Sequence, residues 1–239
     1  MIKAVLFDLD GTLLPFDHEL FLREYTTLIG GHVAHLVNPS QFVTQLLAST
    51  AVMVANNNPS RTNQTVFSGD FYAKVGVDAS TLELILEDFY VSKFPQLSKI
   101  VRPSAAARRA VQAVLDRGLQ TAVATNPIFP QIAVEERLRW AGVYDLPFVH
   151  ITSYEKSHFC KPNPAYYLEV AAAIGREPEE CLMVGNDVEE DLIAAEVGMK
   201  TYLVTDCLIN AKRLTRSADA QGTLDELAAW LQEESAFAH

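Results

Sequence analysis

Two carboxylates separated by a single residue, Asp8 and Asp10, follow an apolar run and precede Gly11-Thr12 in the segment FDLDGT. An aspartate is already ionised at neutral pH and can attack phosphorus without a separate base, provided a cation offsets its repulsion from the phosphoryl oxygens. Asp8, where the first strand should give way to a turn, has the position of such a nucleophile. Asp10, reaching the same side, could protonate a leaving oxygen and later take a proton from water. Gly11 allows the backbone to turn sharply beyond them. Alone, the two aspartates could instead only end a strand and satisfy turn amides, the less favoured of the two readings, and the rest of the chain decides between them.

Three later groups bear on the choice. Thr125-Asn126 offers a hydroxyl and backbone donors suited to phosphoryl oxygens, although both residue types also cap helices. Lys161 opens KPNP ahead of a helix-like segment, where a fixed cation and free amides can hold an anion; a plain surface lysine is the alternative. GNDVEED at 185–191 gathers Asn186, Asp187, Glu190 and Asp191, oxygen donors of the kind that Mg2+ takes together with water and substrate phosphate. The histidines show no metal-ligand spacing; His32 and His35 lack an acidic or thiol partner at a recognisable interval and are expected at the surface. Trp140 and Trp230 are expected to pack against the core.

The elements that must position these residues can be read from hydrophobic patterning. Strand-sized runs lie at 4–9, 120–125, 147–152, 181–186 and 200–205, each ending in polar residues. Helix-like segments fall between them at 104–117, 130–141, 164–174 and 187–197, and a glycine follows each, as at a left-handed helix end. Alternation of this kind predicts an α/β fold with a parallel sheet covered by helices on both faces. Ligands of such sheets gather at the carboxyl ends of the strands, where all the groups above fall. From about Phe16 to Val101 the rhythm breaks into three helix-like pieces around the polar linker ANNNPSRTNQT at 55–65. This helical insertion leaves the sheet just after Asp10 and returns near Arg102-Pro103, so it should sit over the same strand ends as a lid. Arg61 and Asn63, in the linker, could contact a distal polar group of a substrate, but exposed loop positions are the commoner explanation and both are left outside the site.

In order and spacing, these residues resemble the haloacid dehalogenase superfamily, whose four motifs are spread along a Rossmann-like core. DLDGT matches the first motif, Thr125 at the end of ATN the second, Lys161 the third and GNDVEED the fourth. The resemblance implies that Asp8 is phosphorylated, that Asp10 is acid and base, and that Thr125 and Lys161, with Asn126 beside them, bind phosphate. It implies Mg2+ held by a side-chain oxygen of Asp8, the backbone carbonyl of Asp10 and an acidic residue of the fourth motif. That last ligand is read as Asp187, with Asn186 as the alternative and Asp191 orienting Lys161 or a metal-bound water. The insertion looks like the helical cap of one subdivision of the superfamily, giving a core of 1–15 and 102–239 with a cap of 16–101.

The implied function is a magnesium-dependent phosphomonoester hydrolase acting on a small phosphorylated metabolite through an aspartyl-phosphate. Asp10 argues against a dehalogenase. A phosphosugar mutase on the same core is an alternative, and so, from a different class, is a non-catalytic binding or regulatory module. Phosphonate hydrolysis would need a cap lysine, for which Lys74 and Lys93 have no supporting motif. Composition sets the surroundings. A net charge of -11 over 239 residues is ill-suited to a nucleic-acid backbone, though not to a small anion met by a bound cation. Three cysteines without paired spacing fit a reduced, cytoplasmic setting. The apolar-leaning stretch Phe42 to Ala55 is shorter than the ~20 residues of a membrane span. The final EESAFAH is expected to be a frayed tail. The oligomeric state is not legible.

Overall fold

The computed structural model describes residues 1–231, and the EESAFAH segment lies outside them. The first apolar run becomes the centre of the sheet because both of its faces are covered. In β1 (Ala4–Phe7) no residue is exposed. Val5 and Phe7 join one apolar cluster while Ala4 and Leu6 join another on the opposite face, as the two-residue period of a strand requires. Replacing Phe7 by alanine at such a position would cost about 3–5 kcal/mol.

β1 is flanked by β2 (Gln120–Val123) and β4 (Cys181–Gly185), and β3 (His150–Ile151), β5 (Lys200–Val204) and β6 (Ala220–Gly222) extend the sheet outward. The order is β3-β2-β1-β4-β5-β6 with every pairing parallel, a Rossmann-like α/β sheet whose switch point lies between β1 and β4. The expected strand at 147–152 shrinks to two paired residues at the sheet edge. β6 was not expected, since AQG has no apolar alternation to betray it. The segment 187–197 is not one helix. A tight turn comes first, and a 3-10 helix follows at Leu192–Val197, because Asp187 and Asp191 spend their side chains on turn amides.

Residues between β1 and α5 (Ala105–Asp116) form four helices rather than three: α1 (His18–Val33), α2 (Pro39–Val54), α3 (Asn63–Val75) and α4 (Ala79–Ser92), then a 3-10 segment at Phe94–Ile100. Each α-helix starts on a side chain that accepts a backbone N–H, from Asp17, Asn38, Thr62 and Asp78. The unexpected break falls where left-handed Gly76 ends α3 and Asp78 caps α4. Exit and return of this insertion run side by side, since Phe16 bridges Val101 and Arg102 N donates to Pro15 O at 3.1 Å. An aromatic cluster ties the insertion to the core: Phe94 stacks on Trp140 of α6 (Gln131–Trp140), with centroids 5.4 Å apart. α7 (Pro164–Ala173) covers the other sheet face and α8 (Leu224–Trp230) packs beside α5. Trp230 lies against Tyr202, so both tryptophans pack as expected. His35 is exposed, but His32 is half-buried between α1 and α4, against Ile85 O and Asp88. No helix among the described residues is long and apolar enough to cross a membrane.

Candidate active site

Asp8 is the first residue past β1, and its N–H donates to Val184 O of β4 at 2.8 Å, which fixes it at the switch point. Its carboxylate is buried and both oxygens are engaged. Lys161 Nζ donates to Oδ1 at 2.8 Å. The Thr12 hydroxyl lies 3.2 Å from Oδ2 and 2.9 Å from Asn186 Oδ1, with one proton to give to either. Gly11 is left-handed here, and a Cβ on it would overlap the Asn186 side chain. The glycine is therefore what allows the first and fourth motifs to touch.

Lys161 is 1% exposed, far from the surface lysine that was the alternative. Its ammonium also donates to Asp191 Oδ1 at 2.6 Å, while Asp191 Oδ2 accepts from Asp187 N at 2.9 Å. Burial opposes that charge, yet Asp191 and Asp8 outweigh it and hold the lysine well above its ordinary pKa. Burial pushes the carboxyls of Asp8 and Asp191 up against the pull of Lys161. Gly185 has no room for a Cβ because Asp191 packs on it.

Thr125 follows β2, whose Val123 pairs with Phe7, so it stands beside Asp8 on the neighbouring strand end. Its carbonyl is braced by Tyr166 Oη at 2.8 Å and Thr152 Oγ1 at 2.8 Å. Asn126 differs from expectation: its side-chain N–H is held by Glu190, 3.1 Å from each carboxylate oxygen. Tyr167 Oη donates to Glu190 O at 2.5 Å, so adjacent tyrosines of α7 brace the second and fourth motifs. Glu190 is pushed up to about 8, chiefly by burial, with Lys161 pulling it down and Asp191, Asp187 and Asp8 adding to the rise.

Asp10 takes a partner that was not anticipated. Arg137 of α6, 0% exposed, places Nη1 against Asp10 Oδ2, donates from Nε to Ala133 O at 3.2 Å, and lies over the Phe129 ring at 4.5 Å. Asp10 Oδ1 and Arg137 Nη2 are buried without partners. A signal was available in the sequence, since Arg137 shares the apolar face of α6 with Ala133, Val134 and Leu138. Asn63 was also misplaced. It is 0% exposed and donates to Pro127 O at 3.3 Å and Phe159 O at 3.2 Å, pinning α3 to the loops that carry Thr125 and Lys161. Its position as the first residue of α3, rather than in a linker, accounts for the difference. Arg61 is exposed and bonds only its own turn. Lys74 pairs with Asp70 at 2.6 Å on the surface, and the three cysteines are free thiols.

Asp8, Asp10, Asp187, Glu190 and Asp191 thus face two cations, Lys161 and Arg137. Among the described residues no group of three or more His, Cys, Asp or Glu side chains is arranged to hold a metal. The donor set still fits Mg2+, which binds through one or two carboxylates, a carbonyl and waters, and the excess negative charge favours a cation. The preference for Asp187 as a ligand rested on its four-residue spacing to Asp191 and on its charge, with Asn186 as the alternative. Asp187 Oδ1 instead accepts from Glu189 N at 2.7 Å and Glu190 N at 3.0 Å, whereas Asn186 is one hydroxyl away from Asp8.

An α/β core with its polar groups on adjacent strand ends has many relatives. This chain belongs to the haloacid dehalogenase-like hydrolases, whose family model matches residues 2–198. It is 24% identical over 208 residues to the pyrophosphatase PpaX of Bacillus cereus, covering 85% of this chain and 83% of that one. It is 26% identical over 217 residues to a glyceraldehyde 3-phosphate phosphatase of Methanothermobacter thermautotrophicus, covering 89% and 90%. Among solved structures, it resembles a phosphatase of the same superfamily from Thermococcus onnurineus with a TM-score of 0.60, at 23% identity and 96% and 98% coverage. The L-2-haloacid dehalogenase of Xanthobacter autotrophicus superposes with a TM-score of 0.58 at 18% identity, with 98% and 100% covered. The structural likenesses establish the shared fold.

Proposed function

We propose that the protein is a magnesium-dependent phosphomonoester hydrolase that works through a phosphorylated Asp8, with residues 16–101 as a cap over a core of 1–15 and 102–231. The observation that carries this reading is the buried Asp8 carboxylate held at the end of β1 between Lys161 and Thr12. An oxygen of Asp8 attacks phosphorus, the P–O bond to the alcohol breaks, and the departing oxygen takes a proton from Asp10. Water then attacks the aspartyl-phosphate, gives its proton to Asp10 and releases phosphate. Asp10 Oδ1, left free by Arg137, is the oxygen available for that proton. Lys161 and Thr125 hold phosphoryl oxygens. Mg2+, bound by Asp8, the Asp10 carbonyl and the Asn186-Asp187 corner, would offset the repulsion between nucleophile and phosphate. The setting is expected to be cytoplasmic and the substrate small.

Asp10 favours hydrolysis of esters over dehalogenation, which has no leaving oxygen to protonate. The test is a magnesium-dependent screen of phosphomonoesters with Asp8→Asn as control. Wild type should hydrolyse at least one ester and take up beryllium fluoride at Asp8, and Asp8→Asn should lose about 10^4-fold or more in kcat. Absence of both turnover and beryllium fluoride uptake in wild type would favour the binding-module alternative.

A further inference from the structure

Between the helical insertion and the loops after β2 and β3 lies a cavity of about 460 Å³, within the usual range for small-molecule pockets. Its walls are aromatic and aliphatic, with Tyr25, Leu46, Phe67, Tyr90 and Phe129 among them. The mouth carries exposed Leu22, Leu47 and Val91, an unusual concentration of apolar surface for an otherwise acidic protein. Among the described residues the lining includes Glu83, Glu87 and Glu155 and no lysine or arginine. Glu155 is occupied, since it accepts from Gln131 N at 2.9 Å at the start of α6. Glu83 and Glu87 remain, one turn apart on α4. The Tyr25 and Tyr90 hydroxyls lie 3.0 Å from each other, and burial pushes Tyr25 up to about 12, so it stays a neutral hydrogen-bonding group.

The cavity is the neighbour of the reacting groups, which do not themselves line it. Phe129, in its wall, lies under the Arg137 guanidinium, which in turn holds Asp10. Ile128 and Phe129 continue the loop that begins with Thr125 and Asn126. An ester whose phosphoryl group sits at Asp8 and whose bridging oxygen faces Asp10 would therefore direct its alcohol part toward this cavity. Chemistry then selects the alcohol. A second phosphate or a carboxylate carried into the cavity would meet Glu83 and Glu87 with no lysine or arginine in the lining to receive it, and a polyol would leave its hydroxyls against hydrocarbon. Resting on the phosphohydrolase reading above, we infer that the substrate is the phosphate ester of a bulky apolar or aromatic alcohol, neutral or cationic beyond the phosphate, and is neither pyrophosphate nor a sugar phosphate.

The experiment compares kcat/KM, with Mg2+ present, for 3-phenylpropyl phosphate, propyl phosphate, glycerol 1-phosphate and pyrophosphate. The first two are alkyl esters of similar leaving-group basicity. Burial of one aromatic group should favour phenylpropyl over propyl phosphate by about 10-fold or more. Leu47→Trp and Thr50→Trp, each filling the cavity from α2, should bring that ratio close to unity. A preference for glycerol 1-phosphate or pyrophosphate, or a ratio that neither variant alters, overturns the inference while leaving the phosphohydrolase standing. So would a change of oligomeric state in the variants without a change in the ratio, since a second copy would then be what covers the cavity. If no ester is turned over and Asp8 takes up no beryllium fluoride, both the inference and the reading beneath it fall.

Discussion

The strand-end rim and the cavity under the insertion meet at Arg137 and Phe129, yet they are built from opposite materials. At the rim, five carboxylates are held by two cations, backbone amides and the Asn126 side chain, and small displacements would leave charges buried and unpaired. In the cavity, aromatic rings and leucines meet across open space, where a methyl group more or less changes shape but strands no charge. The contrast teaches where tolerance lies. On the proposed function, reaction chemistry would belong to the intolerant region and substrate choice to the tolerant one, so that a single core could serve different substrates by changes in the insertion.

The most severe test of that contrast is Lys161→Met set beside Tyr90→Phe. Removing the ammonium leaves Asp8 and Asp191 buried without a cation, which should cost roughly 3–5 kcal/mol and abolish turnover. Tyr90→Phe loses one hydrogen bond to Tyr25, about 1 kcal/mol, and keeps the ring. Urea unfolding of both variants decides; comparable losses would erase the distinction between the two regions.

Next in size is Asp10→Asn, expected to slow alkyl esters by about 10^2–10^4-fold and nitrophenyl esters far less, because only poor leaving groups need the proton. Equal losses would remove the acid role. Combined with Arg137→Gln, the effect should be less than additive, since both act through one carboxylate. Smaller again, Asn186→Ala and Asp187→Ala separate the two candidates at the fourth motif. From its place beside Thr12, Asn186 should raise the magnesium requirement for activity by about 10-fold when truncated. Loss confined to Asp187→Ala would return the ligand to the charged neighbour.

These residues also mark how far the chain could be read without coordinates. Asp8, Lys161 and Asp191 were legible through the order of the four motifs rather than singly, since each alone has a plain structural reading, and the structure joins them by direct hydrogen bonds. The sheet was legible from strand-sized apolar runs alternating with helix-like segments that end in glycine. Arg137, despite its place on the apolar face of α6, and Asn63 were missed, because each gets its meaning from a partner more than 60 residues away: Asp10 for one, and the carbonyls of Pro127 and Phe159 for the other. The cavity is still less legible, since its walls are ordinary core residues whose spacing only says helix. A void between packed faces leaves no mark in the periodicity of either face.

The smallest predicted effect concerns Glu190, which reports on the crowding of negative charge at the rim. In the metal-free protein its carboxyl is raised from 4.5 to about 8, first by burial and then by Asp191, Asp187 and Asp8 against the pull of Lys161. Between those two values the unfolded chain has released the proton while the folded protein retains it. Raising pH therefore favours unfolding, and the contribution to stability is lost as pH climbs from about 4.5 toward 8. The slope from one such group is at most about 1.4 kcal/mol per pH unit. Glu190→Gln keeps an acceptor for Asn126 and has no proton to lose, so its stability should fall less between pH 5 and pH 8 in urea titrations. His150, lowered mainly by burial and then by Lys156, gives a slope of opposite sign near neutrality, but it is present in both proteins and cancels from the difference. A cavity residue such as Leu46→Ala should leave the pH slope untouched while lowering stability at every pH, because hydrocarbon has nothing to titrate. If Glu190→Gln and wild type give parallel curves, charge crowding is not what distinguishes the rim, and its sensitivity must come from geometry alone.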